Sequence, residues 1–442
     1  MLNRFTSDYL ESLGIPDFTP SPKISGRLAS FDGLLMEAVG LTLPVGTVCQ
    51  VGSKGAGVEA EVIGFRNGRT LLMNLGGPAP LLPQMPVRPL GPPGEAEVGA
   101  ALLGRVVDGA GKPIDGLGPI RGADHWPISG KLQSPLDRGR VLKPLDVGVR
   151  AINGLLTVGQ GQRIGIMAGS GVGKSVLLGM IVRAAEADVI VIGLIGERSR
   201  EVADFLETKV AGEARQRAVV VAVPANHSPV LRIRGALRTH AIAEAFRAQG
   251  KKVLLIMDSL TRVAHAGREI GLALGEPASA RGYPPSAIAM LPNLIERAGT
   301  DVVSGGSITA IYTVLADGDD GNDPVVDSAR SILDGHIVLS RALAEHGVYP
   351  AIDIGPSVSR VMTDITDKAH QKAARVLRRH LATYEENRDL VLMGAYRAGA
   401  DPAIDAAIAC HPAVMEYIKQ DPDEVVSLAD AVAELTGVFG DG

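Results

Sequence analysis

The amino-acid sequence predicts an α/β chain: a parallel sheet wrapped by helices, preceded by a small β-barrel and followed by a helical tail. Six apolar runs, RIGIMA, DVIVIGLIG, AVVVAVPA, KVLLIMDS, SITAIYTVLA and HIVLS, alternate with helical segments between about residues 164 and 340. Runs without polar alternation suit strands buried on both faces, the mark of a parallel sheet. Upstream, short β-type runs are cut by Gly and Pro; downstream of about Asp364 the strands stop. A chain of 442 residues has room for about three domains.

Taken in order, residues 1–24 place Leu2, Phe5, Tyr9, Leu10 and Leu13 at helical spacing, which predicts an amphipathic helix for docking a partner, with a frayed terminus as the plainer alternative. Arg4, Asp8 and Glu11 interrupt it, so no signal peptide is expected. Residues 25–92 form the predicted barrel, from GRLASFDGLLMEAV, GTVCQVG and EVIGFRNGRTLLMNL, with a hairpin at Asn67-Gly68. GPPGE at 91–95 marks the boundary with the core, 93–364. The tail, 365–442, is Ala-rich and helical, with breaks expected at Asp401-Pro402, His411-Pro412 and Asp421-Pro422.

Composition narrows the function. The 44 basic residues against 49 acidic leave a formal charge of −5, so no global basic field recruits nucleic acid or an anionic membrane. The barrel has only Phe31 and Phe65 as aromatics, poor material for stacking bases. Two cysteines, Cys49 and Cys410, make neither a disulfide framework nor a metal cluster. The longest dense apolar run, Val189 to Ile195, is far below the roughly 18 residues of a membrane span, so a soluble chain in a reducing cytoplasm is expected.

The strongest chemical signal is AGSGVGKS at 168–175, between a strand-like and a helix-like run. Glycines let backbone N–H groups converge on phosphate oxygens, and the following helix points its positive end at them. Gly169, Ser170, Gly171, Val172, Gly173, Lys174, Ser175 and Val176 are thus the predicted nucleotide cradle. Lys174 neutralises β and γ oxygens, and the Ser175 hydroxyl is offered to Mg²⁺. Ala168 stands where the usual pattern has Gly, and no G-x-G-x-x-G occurs here. KVLLIMDS ends in Asp258, a carboxylate suited to the Mg²⁺ water shell; many strands end in Asp, and the upstream phosphate loop is what gives it weight. Glu197 follows another strand and is a candidate for aligning and deprotonating water, although alone it reads as a surface carboxylate.

The phosphate loop, G-E-R after the next strand, L-I-M-D-S-L-T-R and P-A-I-D-x-x-x-S-x-S at 350–359 occur in this order in the ATP synthase catalytic-subunit superfamily. Within it the chain most resembles the ATPases of flagellar and other type III protein export systems, closely over about 150–410 and loosely in the barrel. VIGLIGERSREV, RGYPPSAIAMLPNLIERAG, SARSILDGHIVLSR and GAYRAGADPAIDAAI also carry the resemblance.

The resemblance implies a RecA-like P-loop core and Mg²⁺-dependent ATP hydrolysis. It makes Glu197 the general base, Arg198 an accessory contact, Tyr349 the adenine-stacking residue and Arg360 an arginine finger inserted into the neighbouring subunit's site. A Tyr packed at a strand end is the plainer alternative for Tyr349. It further implies a homo-oligomer, a hexameric ring; a stator-like regulator at the N-terminus; and export chaperones, their substrates and a membrane export gate as partners of a cytoplasmic protein peripheral to the inner membrane. Noncatalytic rotary-synthase subunits carry Gln in place of that Glu, so Glu197 favours an active enzyme over a nucleotide-binding subunit. Two further readings are weighed: a virulence-type secretion ATPase, and an RNA translocase of the same superfamily. The basic stretch DKAHQKAARVLRRH at 367–380 is the best support for the translocase, against a solvated helix face.

Overall fold

The computed structural model describes residues 25–53, 57–77, 80–91, 94–315 and 323–440. The expected N-terminal helix lies outside the described residues, as do residues 92 and 93 of the boundary segment. The chain divides into two compact units at residues 93 and 94.

In the first unit β1 (Gly26–Phe31), β2 (Leu35–Val39), β3 (Val48–Val51), β4 (Val58–Arg66), β5 (Arg69–Asn74) and β6 (Pro86–Pro89) close a barrel in the order β1-β2-β5-β4-β3-β6. Alternation along β4 turns Val58, Ala60 and Val62 inward, where they pack with Met36, Val51, Leu72 and Val87. The β4–β5 hairpin turns at Asn67 and Gly68, with φ of 49° and 72°. Both central residues of a type I′ turn need positive φ, which is why the Asn-Gly pair was legible as a turn.

The second unit holds the sheet that positions the site. The six apolar runs are β10 (Arg163–Ala168), β11 (Val189–Ile195), β12 (Ala218–Val223), β13 (Lys252–Asp258), β15 (Ser307–Leu315) and β16 (Gly335–Leu339). With β8 (Val106–Val107) and β17 (Ile352–Ser359) they order as β17-β16-β10-β15-β13-β11-β12-β8, and β14 (Gly299–Thr300) pairs with β15. Every residue of β11 and β12 is buried. The loops leaving β10, β11 and β13 emerge on the same carboxyl edge of this sheet, where α/β folds place ligands. The 350–359 segment, a motif in the sequence, is largely strand: β17 runs antiparallel to β16 with a register shift beside Pro356. An edge position tolerates proline because no second neighbour needs its N–H.

The tail forms helices Lys368–Leu392, Pro402–Ile418 and Leu428–Phe439, capped by Asp367, Asp401 and Ser427. One expected break is corrected. Pro412 sits inside helix Pro402–Ile418, which continues because Val414, Tyr417 and Ile418 are buried just beyond it. A lost backbone bond is outweighed by that packing. In the basic stretch, Lys368, Lys372, Arg375 and Arg379 are exposed, but Arg378 turns inward and donates to the carbonyls of Leu155, Ile354 and Ser357.

A two-stranded ribbon, β7 (Glu95–Val98) with β9 (Asp124–Pro127), is tied to helix Pro229–Ala248 through Trp126, which reaches a buried ion pair of Glu244 with Arg297. Glu244 accepts from Arg297 Nε at 2.8 Å and Nη2 at 3.0 Å, and from Trp126 Nε1 at 2.9 Å. Breaking such a pair strands a guanidinium in the interior. Glu244→Ala is expected to cost about 3–5 kcal/mol of stability, read by denaturant unfolding; a cost below about 1 kcal/mol contradicts this.

Candidate functional site

β10 ends at Ala168, and the chain turns through 169–173 into helix Lys174–Ala184. Gly173, the residue before that helix, has φ of 86° and contributes no side-chain cap. The first N–H groups of the helix therefore face the loop, in the arrangement that binds an anion. Gly171 also has positive φ, 80°. A Cβ on Gly173 would come within 3.3–3.4 Å of the Tyr349 ring.

A cavity of about 550 Å³ opens over this turn. Its walls include Gly169, Ser170, Gly171, Gly173, Lys174, Ser175 and Val176 from the loop and Glu197 and Arg198 from the segment after β11. Val172 differs: the residue is 2% exposed, packs into the core beneath and does not border the cavity. A larger cavity of about 720 Å³ lies between β17 and the tail helices. Neither the loop residues nor Glu197 border it, so chemistry rather than size selects the smaller one.

At the cavity floor Lys174 Nζ donates to Asp258 Oδ1 and lies 3.6 Å from Glu197 Oε1. Asp258, at the end of β13, also accepts from Thr313 Oγ1 of β15 at 2.6 Å, which fixes its carboxylate. All three charged side chains are at most 13% exposed. Burial works against the Lys174 charge, but Asp258 and Glu197 overcome it and raise the ammonium above its ordinary value. Glu197 is pushed up too, first by burial and then by the negative Asp258, with Lys174 offsetting part of this. Its Oε1 is buried without a hydrogen-bond partner. A buried carboxylate with raised proton affinity beside a phosphate cradle is suited to take a proton from water.

Helix Leu260–Ala273 brings residues the sequence reading left without roles. Arg262 borders the cavity with its Nε buried and lacking a hydrogen-bond partner. Gly196, φ 78°, makes room for it: a Cβ there would meet Arg262 Cβ at 2.5 Å. The signal was present, since Arg262 stands four residues after Asp258 in LIMDSLTR, one helical turn on from the strand end. His265, Arg281 and Asp323 border the same cavity, and nothing local in the sequence marks them. His265 is held below its ordinary pKa by burial, with Arg268 and Arg262 adding to the effect.

Arg198 is 80% exposed and pairs with Glu201 at 3.2 Å. Tyr349 lies beside Gly173 and is 39% exposed, although it does not itself border the cavity. Arg360 is not brought to this cavity. It follows β17, its N–H donates to the Asp334 carbonyl, and its Nη2 reaches the Arg330 carbonyl at 3.2 Å. Ser175 borders the phosphate cavity, Asp258 lies buried behind Lys174, and no cluster of three metal-binding side chains occurs among the described residues. That donor set fits a hard divalent cation that shares its coordination with phosphates, as Mg²⁺ does. Among the described residues no helix is long and apolar enough to cross a membrane.

Residues 148–359 match the model of the ATP synthase alpha/beta family nucleotide-binding domain, and 366–437 that of the type III secretion EscN ATPase C-terminal domain. The flagellum-specific ATP synthase of Pseudomonas aeruginosa is 50% identical over 98% of this chain and 96% of its own length. The assembled ATPase EscN of the enteropathogenic E. coli type III secretion system superposes with a TM-score of 0.88 at 41% identity, covering 94% of this chain and 100% of that one. EscN in complex with its central stalk EscO gives a TM-score of 0.86 at 40% identity, with coverage of 94% and 100%.

Proposed function

The chain belongs to the ATP synthase alpha/beta family, in its flagellar and type III export ATPase group, and from that premise we propose how its own residues hydrolyse ATP and why they need a neighbour to do so. The enzyme is an ATPase that energises type III export of the flagellar type. One observation carries the mechanistic reading: Lys174 is held between Asp258 and Glu197 at the base of the phosphate cradle, with Glu197 Oε1 buried and lacking a hydrogen-bond partner.

The N–H groups of 169–176 receive the phosphates, and Tyr349 supplies a ring face for adenine. Lys174 and Arg262 spread negative charge over the β and γ oxygens. Glu197 Oε1 orients a water in line with the γ-phosphorus and accepts its proton as the bond to the β–γ bridging oxygen breaks. Ser175 and Asp258 are the residues that would hold Mg²⁺, which would supply charge neutralisation on the phosphate oxygens. Arg198, exposed at the rim, is an accessory contact to the leaving phosphate.

Arg360 completes the site from an adjoining copy. Its position beyond β17, away from the cavity of its own chain, supports action in trans. The working form is an oligomer; six protomers in a head-to-tail ring is the proposed closure. Stripping export substrates from their chaperones, delivery to a membrane gate, a stalk like EscO, a regulator at residues 1–24 and a place at the inner membrane complete the proposal.

Turnover per protomer, measured against protein concentration, is expected to rise steeply as rings form. A rate per protomer independent of dilution contradicts the shared site.

A further inference from the structure

The same cavity contains an ion pair that the reaction above does not use. Arg281 sits at φ 52°, in the left-handed region that an arginine adopts only when its surroundings require it. Its Nη1 lies 3.7 Å from Asp323 Oδ2, and both residues border the phosphate cavity. The two Asp323 oxygens divide their work. Oδ2 faces Arg281, while Oδ1 caps helix Pro324–Ile332 by accepting from Val325 N at 2.8 Å and Val326 N at 3.3 Å. Seven residues on, about 10 Å along the axis, the Arg330 carbonyl of the same helix accepts from Arg360. One short rigid element thus touches this protomer's nucleotide cavity at one end and its arginine finger at the other.

Resting on the reading of Arg360 as a finger in trans, we infer that the Arg281–Asp323 pair is a relay: phosphate in one cavity draws Arg281 off Asp323, and helix Pro324–Ile332 passes the change to the finger serving the next site. The chemistry sets the direction. A terminal phosphate carries more charge than a carboxylate and competes with it for the guanidinium. Losing the pair leaves the cap in place through Oδ1 but frees the N-terminal end of the helix from its tether to the loop at 279–283. The element then has two states, pair made and pair broken, which nucleotide biases, as coupling between sites requires. Asp323 is in this account a positioning residue that does not itself touch the nucleotide.

The test uses Asp323→Asn, which keeps a capping oxygen and removes the charge, and Arg281→Gly, which suits positive φ and removes the guanidinium. Affinity for a fluorescent ATP analogue and for its ADP counterpart is measured on dilute protomers. The ATP dependence of phosphate release is measured on assembled rings. Asp323→Asn is expected to bind the ATP analogue about fivefold more tightly, with the ADP analogue unchanged, and Arg281→Gly about fivefold more weakly. Both are expected to turn a sigmoidal rate curve into a hyperbolic one, and Asp323→Ser, a second capping variant, is expected to repeat the Asn result. A merely structural role moves both affinities in the same direction. That result, unchanged affinity in Asp323→Asn, a retained sigmoid, or a parent enzyme without one, overturns the relay. Arg360→Ala measured alongside separates the two ideas: parental turnover there removes the finger itself, whereas lost turnover with the relay variants behaving like the parent removes only the relay.

Discussion

Replacing Arg360 by alanine is expected to leave nucleotide binding as in the parent and to lower turnover by about 10³- to 10⁵-fold, the range an arginine finger contributes. The separation of the two effects follows from position. Arg360 lies past the end of β17, anchored through its N–H to the Asp334 carbonyl, and has no part in the walls of its own chain's cavity. Affinity for ATP comes from the 169–176 turn, Lys174 and Arg262, none of which the substitution disturbs. Nucleotide affinity by fluorescence and phosphate release on the same preparation give both numbers. Parental turnover in the variant removes the finger.

The second large effect is at Glu197. Glu197→Gln keeps the side-chain shape and loses the proton acceptor, so hydrolysis is expected to fall about 10²- to 10⁴-fold with binding retained. The parent should also show an acid limb. Burial and the Asp258 charge raise the Glu197 pKa, so the base is protonated, and the rate lost, at a pH above the ordinary glutamate range. Activity is present above that pKa and declines as pH falls through it. A pH–rate profile flat down to the range of free carboxylates, or a Gln variant that turns over like the parent, contradicts the role.

The parts of this molecule that were legible in its sequence are those whose physics is local. The six apolar runs declared β10 to β13, β15 and β16 because strands buried on both faces, as β11 and β12 are along their whole length, leave few polar positions. Asn67-Gly68 marked its hairpin because only such a pair takes two positive φ angles easily. The phosphate loop was readable because glycine, lysine and serine must occur in a fixed order. Arg281 and Asp323 were not readable: they are 42 positions apart in number and meet only once helix Pro324–Ile332 packs near the cavity. Thr313 was equally hidden, a polar residue within a mostly apolar strand run whose hydroxyl orients Asp258. Pro412 misled because the rule for proline is about backbone bonding, and here side-chain burial decided the outcome. The resemblance, and not spacing, supplied Tyr349 and Arg360.

The central claim is that one active site draws on two copies of the chain, and mixing two inactive variants tests it most directly. Lys174→Ala lacks a working cradle but keeps its finger; Arg360→Ala keeps its cradle but lacks a finger. Each alone is expected to be nearly silent. Combined in equal amounts under conditions that allow rings to exchange protomers, about a quarter of the sites regain both parts, and phosphate release should return to a comparable fraction of the parent rate. A mixture that stays as silent as its components, while both assemble with the parent, would mean that Lys174 and Arg360 never serve the same site.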